Sequence, residues 1–374
     1  MLKTLELNNF KSHQSTKLTF DGSRLHALVG GNSSGKTSVL QALNYFGELI
    51  VKSQGDVFKG ACSPAHLVTR GKEQLSVISK GTSLMVNPPK GWEASYKCWY
   101  ERTQWRLDHK LEIPHLSFDK SSSKTNEKDR IYLKLDSRNL MEAAYSEEIA
   151  PQIDAGGLKL APALDYLRSE NLHSFQTLQE MLKRVVPSVQ KVGIVRAKVL
   201  INRQRLIEVD GKAITYDENQ EVIGQEVVLD MDTGDRIPAH AISEGTMLAL
   251  GLLTVLMHPN RPQLILLDDI EQGLHPKAQR ELMNVFKEII QANPELQIIF
   301  STHSPYIVDE LTPSQVHVLS IDSSGMTQTK RLDEHPDIEW AKQTLTTGEF
   351  WDAEGEDWVI AGLQNNLEQV SPTA

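Results

Sequence analysis

Eight consecutive residues, Gly30-Gly31-Asn32-Ser33-Ser34-Gly35-Lys36-Thr37, could do chemistry on phosphate. They follow G-x-x-x-x-G-K-[ST], in which a glycine-rich turn points backbone N–H groups at phosphate oxygens. Lys36 would reach the β- and γ-phosphates, and the Thr37 hydroxyl would hold Mg²⁺. Gly30, Asn32, Ser34, Gly35 and Ser38 complete the expected cradle. Residues 25–29 before it are short and mostly apolar, as in a buried strand. Residues 38–46 after it have helical apolar spacing at Val39, Leu43 and Phe46. That helix would aim its positive end at the phosphates.

A second cluster lies far along the chain. Leu264-Ile265-Leu266-Leu267-Asp268-Asp269 is an aliphatic run ending in acid. Such a run fits the middle of a parallel sheet, whose carboxyl ends hold ligands. Asp268 is the natural carboxylate on the Mg²⁺ side. Asp269 is placed to orient or deprotonate an attacking water. Ile270-Glu271-Gln272-Gly273-Leu274-His275-Pro276 follows, with Pro276 suited to the first turn of a helix. Over 277–292, Leu282, Met283, Phe286, Ile289 and Ile290 form a core stripe. A further buried strand, 297–301, ends in Thr302-His303-Ser304-Pro305, where His303 could hydrogen-bond a γ-phosphate. Ile242-Ser243-Glu244-Gly245-Thr246 leads into an apolar helix at 247–257. Ser243 and the helix-start amides would bind an anion, although Ser243 or Thr246 alone would read as an N-cap.

Other elements must position these clusters. Residues 1–50 read as strand, turn, strand, glycine loop and helix, and 60–135 as mainly β. Residues 95–100 and 105–113 alternate on either side of a polar turn, and 121–128 is a polar loop. Over 160–185 the spacing is helical, with Leu160, Leu167, Leu172, Leu178 and Leu182 as core contacts. Asp210-Gly211 and Thr233-Gly234 signal hairpins. From Ile242 onward helix and strand alternate, the mark of a parallel α/β layer. No heptad is long enough for a coiled coil. The net charge of −10 argues against a generally sticky nucleic-acid binder. Cys62 and Cys98 make neither a disulfide framework nor a cysteine metal site. The start lacks a signal-peptide core, and the longest uncharged apolar run is too short to span a bilayer, so the expected location is cytoplasmic.

Taken in order, the glycine loop, Ser-Glu-Gly-Thr, Leu-Leu-Asp-Asp-Ile-Glu-Gln-Gly-Leu-His-Pro and Ser-Thr-His-Ser-Pro resemble the ABC-type ATPase heads of the SMC, RecF and OLD group. Leu7-Asn8-Asn9-Phe10-Lys11-Ser12-His13 resembles the Asn-Phe-(Lys/Arg)-Ser segment that opens many of them. Glu271 and Leu274-His275-Pro276 match the OLD-type extension best. The resemblance covers about 1–50 and 240–310. It implies an α/β P-loop fold: an ABC-ATPase head with a mixed or parallel core sheet, an antiparallel β portion and an inserted helical and β segment. By the same resemblance, Ser243, Glu244 and Gly245 are the signature motif, Gly273 to His275 the D-loop region, His303 the switch histidine, and Lys11 a nucleotide contact. It further implies a two-fold dimer with ATP and Mg²⁺ at the interface, Ser243 of one subunit facing the γ-phosphate held by Lys36 of the other.

The expected layout is a single ABC-type domain: lobe I over about 1–135, an insert over 136–238, lobe II over 239–335 and an acidic, aromatic tail over 336–374. In most of the group glutamate follows the acidic-strand aspartate. Here it is Asp269, one methylene shorter, so hydrolysis is expected to be slow. Too little chain follows His303 for the Toprim nuclease of many OLD proteins, and Asp230 with Asp232 reads as a turn. The expected function is therefore an ATPase that dimerises on ATP and regulates a separately encoded, nuclease-type effector in bacterial anti-phage defence. The alternatives are a RecF-like repair ATPase acting on DNA, a weakly catalytic ATP-sensing scaffold, and a transporter subunit; the OLD-like motifs count against the last. Arg196, Lys198, Arg203 and Arg205 could track a DNA backbone, though a strand with one core face is the commoner reading. Phe350, Trp351 and Trp358, among Glu349, Asp352, Glu354, Glu356, Asp357 and Glu368, would pack on their own domain rather than on a partner. Gln54 and Gln74 are candidates for a Q-loop glutamine.

Overall fold

The computed structural model describes residues 1–83, 89–102, 104–112, 130–209 and 212–361. The expected hairpin signal at Asp210-Gly211, the expected polar loop at 121–128 and Glu368 lie outside the described residues. In chain order the strands are β1 (Leu2–Phe10), β2 (His13–Thr19), β3 (Leu25–Gly30), β4 (Gln74–Ser83), β5 (Lys90–Glu101), β6 (Gln104–Glu112), β7 (Arg130–Leu133), β8 (Val189–Val209), β9 (Lys212–Met231), β10 (Arg236–Pro238), β11 (Leu264–Leu267), β12 (Gln297–Ser301), β13 (Val316–Ile321) and β14 (Thr327–Arg331).

They fall into two compact units. The first comprises Met1–Tyr132, Pro262–Glu271 and the chain from Met283; the second comprises Leu133–Arg261 and Gln272–Leu282. These units cut the chain differently from the expected lobes. The acidic strand and the histidine strand lie in the unit of the glycine loop, because β11 and β12 bond in parallel register to one another and β12 to β3. Ser243 to Gly245 lie in the second unit, with the stretch 136–238 expected to be an insert.

In the first unit a six-stranded sheet runs β14-β13-β3-β12-β11-β7. Its four central strands are parallel, and β14 returns antiparallel to β13. Every residue of β3, β11 and β12 is buried, as expected of strands covered on both faces. The register pairs Ile298 with Leu25 and Leu266 with Ile299, so the strands end at Gly30, Leu267 and Ser301 along one edge. A five-stranded antiparallel sheet, β2-β1-β4-β5-β6, supplies the second layer. The helix Lys36–Val51 puts Val39, Leu43 and Phe46 into one core with Leu5, Val77 and Tyr96, and the Tyr96 hydroxyl donates to the Ala42 carbonyl at 3.2 Å. The stretch expected to be mainly β from residue 60 opens instead with a helical turn at Gly60–Cys62 and a short helix at Pro64–Leu67; Pro64 suits the first helical position. The tail helix Thr347–Glu354 is closed by a capping box between Thr346 and Glu349. Phe350 and Trp351 are buried, and Trp358 lies 4.8 Å from the His335 ring, so these aromatics pack on their own unit.

In the second unit β8 and β9 form one long antiparallel ribbon, joined at its base by β10 through the turn at Gly234. Val195, Val199 and Ile201 are half-buried, while Arg196, Lys198 and Leu200 on the other face are exposed. Lys198 pairs with Glu221 and Arg203 with Glu147. Helices Leu160–Glu170 and Leu172–Val185 flank Asn171, whose side chain accepts from the Ser174 amide. Leu160, Leu167, Leu178 and Leu182 are buried as expected. Leu172 is not: at 56% exposed, it opens its helix directly after the Asn171 cap, and the buried stripe there begins at Phe175. Helix Glu244–Met257 is buried nearly all round, as its unbroken apolar sequence requires. Among the described residues no helix is long and apolar enough to cross a membrane.

Candidate functional site

The glycine loop bridges the end of β3 and the helix Lys36–Val51. Gly30 has φ +140° and Gly35 φ +102°, both in the region that favours glycine. A Cβ on Gly30 would lie 2.1 Å from the Leu319 carbonyl oxygen. The Lys36 ammonium folds back over the loop and donates to the Gly30 and Gly31 carbonyls at 2.8 and 2.9 Å. Burial lowers the Lys36 pKa, while Asp269, Asp268, Glu271 and Glu356 oppose that shift. The Ser34 hydroxyl is buried with no hydrogen-bond partner among the described residues, leaving a donor for an anionic ligand. Asn32 is exposed at the loop tip, and Ser38 is half-buried in the first helical turn.

The acidic strand meets this loop directly. Thr37 Oγ1 lies 3.1 Å from both Asp268 oxygens. One hydroxyl and one carboxylate are hard oxygen donors, the partial set that suits Mg²⁺, which keeps waters and takes phosphate oxygens for the rest. Ser301, at the tip of β12, donates to Asp268 Oδ1 at 2.6 Å and accepts from the Asp269 amide at 2.8 Å. The Tyr132 hydroxyl, on β7, donates to Asp268 Oδ2 at 3.2 Å. Burial first, and the Asp268 charge second, raise the Tyr132 pKa, so it stays a donor. Asp269 has φ +53°, a left-handed conformation that aspartate tolerates better than most residues. Glu271 accepts from Thr302 Oγ1 and from the His303 amide, each at 2.8 Å, and so ties the acidic turn to the histidine turn. The His303 side chain is exposed.

Lys11 sits in the β1–β2 turn with φ +52° and donates to Gln41 on the loop helix, where burial lowers its pKa. Of the candidate Q-loop glutamines, Gln74 is exposed at the start of β4, opposite Trp99, and the Gln54 side chain lies outside the described residues. In the second unit Ser243 caps helix Glu244–Met257, its Oγ accepting from the Thr246 amide at 3.4 Å, and Ser243 and Glu244 are exposed. Gly245 is packed so tightly that a Cβ would lie 2.1 Å from the Gly273 carbonyl oxygen. Gly273 itself has φ +66°. The Ser243–Gly245 and Gly273–His275 segments thus touch backbone to backbone. Asp230 pairs with Arg236 across the β9–β10 turn.

Sequence reasoning singled out Lys36, Thr37, Asp268, Asp269 and His303 but divided them between two lobes; all five lie in one unit, at the same edge of its parallel sheet. It missed the groups that hold them: Ser301 and Tyr132 on Asp268, and His13 and Thr327 beneath the loop. His13 directly follows the Asn-Phe-Lys-Ser segment, and Ser301 directly precedes Thr302-His303, so those motifs were the available signals. Nothing local marks Tyr132 or Thr327.

A glycine loop and lysine after one parallel strand, with an aspartate from a neighbouring strand beside the loop threonine, define a nucleotide-binding P-loop ATPase of the AAA/ABC type. The chain belongs to the family described as AAA domain, putative AbiEii toxin, Type IV TA system, whose model matches residues 101–309, and residues 1–83 match an AAA ATPase domain. The chain is 27% identical over 136 residues, 32% of its length, to the retron Vc95 probable ATPase of Vibrio cholerae serotype O1 biovar El Tor, covering 26% of that protein. It is 31% identical over 87 residues, 23% of its length, to the Septu protein PtuA of Bacillus thuringiensis, covering 20% of it. It is 26% identical over 148 residues, 40% of its length, to the DNA double-strand break repair Rad50 ATPase of Methanococcus maripaludis, covering 13% of it. The chain thus spans about a quarter or less of the length of these relatives. Among solved structures, an Smc head bound to the C-winged helix domain of ScpA matches with a TM-score of 0.57 at 14% identity, over 90% of this chain and 99% of that one. The Smc head with an extended coiled coil bound to the C-terminal domain of ScpA, from Pyrococcus furiosus, gives 0.53 at 13% identity, over 92% and 100%. These two likenesses establish the fold.

Proposed function

We propose that this chain binds Mg²⁺ and ATP at the glycine loop, hydrolyses the nucleotide slowly, and uses the bound state to pair two copies and regulate a separately encoded effector. The observation that carries the reading is Thr37 within 3.1 Å of both oxygens of Asp268, beside a loop that already holds Lys36. Lys36 and the loop amides bind the phosphates. Thr37 and Asp268 would hold the metal, which neutralises charge on the β- and γ-phosphates when bound. A water attacks the γ-phosphorus, its proton passes to the Asp269 carboxylate, and the bond from that phosphorus to the bridging oxygen breaks, leaving ADP and phosphate. Asp269 is short for this task, which motivates slow turnover. His303 would hydrogen-bond the γ-phosphate, and Lys11 would leave Gln41 for the nucleotide.

The exposed Ser243 and Glu244, at the start of a helix otherwise buried, are suited to meet nucleotide held by a second copy. Likeness to a retron ATPase and a Septu protein supports a role in bacterial anti-phage defence beside a nuclease-type effector. Likeness to Rad50 supports the second reading, action on DNA directly; the ion pairs of Lys198 and Arg203 count against the β8 strand as its DNA surface. The test is ATP turnover of the purified protein with and without duplex DNA, with Lys36→Ala as control and mass measured by light scattering. Slow turnover indifferent to DNA, with doubling of mass in ATP, is expected. Turnover stimulated by DNA and steeply salt-dependent would transfer the case to the repair reading. Turnover retained by Lys36→Ala would refute both.

A further inference from the structure

Two carbonyls on the underside of the glycine loop have protein donors that the ATPase reading leaves without a role. Thr327 Oγ1 on β14 donates to the Ser34 carbonyl at 3.0 Å, and His13 Nε2 at the start of β2 lies 3.2 Å from the Gly35 carbonyl. A peptide group is planar and trans, so its C=O and the following N–H point in opposite directions. A Ser34 carbonyl held toward β14 turns the Gly35 amide the other way, and a Gly35 carbonyl held toward His13 does the same for the Lys36 amide.

Both donors are buried, and their own partners determine their roles. His13 is fully buried, and burial above all pushes its pKa down to about 4, so the ring is neutral near pH 7 and carries one N–H. A carbonyl can only accept; the proton therefore sits on Nε2, and Nδ1 accepts from the Thr16 hydroxyl at 3.1 Å. Thr327 has one hydroxyl proton, given to Ser34, so Ser12 is the donor in their 2.7 Å contact. The Thr327 amide donates to the Ser12 carbonyl at 2.8 Å, which locks β14 to the β1–β2 turn. A Cβ on Gly35 would lie 2.7 Å from His13 Nε2 and 2.8 Å from Thr327 Oγ1. Glycine is needed there both for its φ of +102° and because the two donors press against it.

We propose that His13 and Thr327 are positioning residues for the nucleotide: by holding the Gly35 and Ser34 carbonyls back, they preset the Lys36 and Gly35 amides to meet phosphate oxygens. This rests on the ATP-binding reading above. Without Thr327 the buried Ser34 carbonyl turns to seek another partner and the Gly35 amide loses its aim; without His13 the Gly35 carbonyl keeps only the Val39 amide, at 3.1 Å, and tips toward the helix.

The experiment measures equilibrium binding of ATP and of ADP by calorimetry, with thermal unfolding in parallel, on the full chain. Thr327→Val keeps shape and removes the donor; about tenfold weaker binding of both nucleotides is expected, from the loss of one buried hydrogen bond's worth of preorganisation. Thr327→Ser restores the donor and should restore affinity. Ile290→Val, whose carbonyl meets Arg24 at the end of β3 opposite the loop, serves as a variant lowered in unfolding midpoint, and it should bind as wild type does. If Thr327→Val fails to fold, His13→Asn, whose amide falls short of Gly35, is expected to lose about tenfold, and His13→Gln, whose amide reaches, to recover. Wild-type affinity in Thr327→Val, or an equal loss in Ile290→Val, overturns the positioning role. A wild-type chain that binds neither nucleotide overturns the ATP reading itself.

Discussion

Removing the Ser301 hydroxyl tests whether Asp268 is held or merely present. Ser301 is fully buried, and its one proton goes to Asp268 Oδ1 at 2.6 Å rather than to Asp269 Oδ1 at 3.3 Å. A buried hydrogen bond to a charged group contributes about 1.5–3 kcal/mol. The same oxygen accepts from the Asp269 amide, and leaving that donor unpaired costs a further ~1–3 kcal/mol. Asp269 is only half-buried, so water can recover part of the second term, and the net loss in Ser301→Ala should be about 3 kcal/mol. For a unit of this size that lowers the unfolding midpoint by roughly 6–12 °C. Asp268 would keep Thr37 and Tyr132 but could swing about its Cα–Cβ bond, so the Mg²⁺ needed for half-maximal turnover should rise by about tenfold. Calorimetric unfolding reads the first effect and Mg²⁺ titration of turnover the second. A midpoint within 2 °C of wild type (about 1 kcal/mol), with an unchanged Mg²⁺ requirement, would show that Ser301 positions nothing.

Asp269→Ala should lower turnover by about a hundredfold, the least a general base contributes, and Asp269→Glu should raise it if reach is what limits wild type; unchanged turnover in both removes Asp269 from the chemistry. Gly245→Ala must displace the Gly273 backbone, so it should abolish ATP-dependent pairing while ATP still binds the monomer, as light scattering and calorimetry would report. His26 and His317 are buried, and that burial pushes their pKa values down to about 4 and about 3, as it does that of His13 to about 4. Each is neutral when folded and takes up a proton on unfolding below pH 6.5. Their stabilisation is whole above that pH and falls as pH drops toward 4, by about 1.4 kcal/mol per pH unit for each. A denaturant midpoint flat between pH 6.5 and 5 would contradict this. Phe350→Ala should cost about 3–5 kcal/mol in denaturant unfolding, since that ring is buried against the His335 ring; a loss below 1 kcal/mol would mean the tail is not part of its unit.

The loop of Gly30 to Thr37, the aliphatic strand ending in Asp268, the cap at Ser243 and the core stripe from Leu282 to Ile290 were legible because each is a local pattern. Glycine spacing, apolar periodicity and a capping residue act within a few residues of one another, so the order of the amino acids suffices to determine them. The polar groups that support the site are not local. Ser301 meets Asp268 across 33 positions, Tyr132 meets it across 136, and Thr327 meets Ser34 across 293. Such pairs exist only once β12 lies between β3 and β11, β7 closes the sheet edge and β14 folds back beside β13. Strand order of that kind is decided by which buried faces pack together over the whole chain, and a single hydroxyl leaves no periodicity to betray its partner. Chain order alone therefore determined the phosphate-binding elements, while the tertiary structure decided which of them share a unit and which donors hold the Asp268 carboxylate and the loop in place.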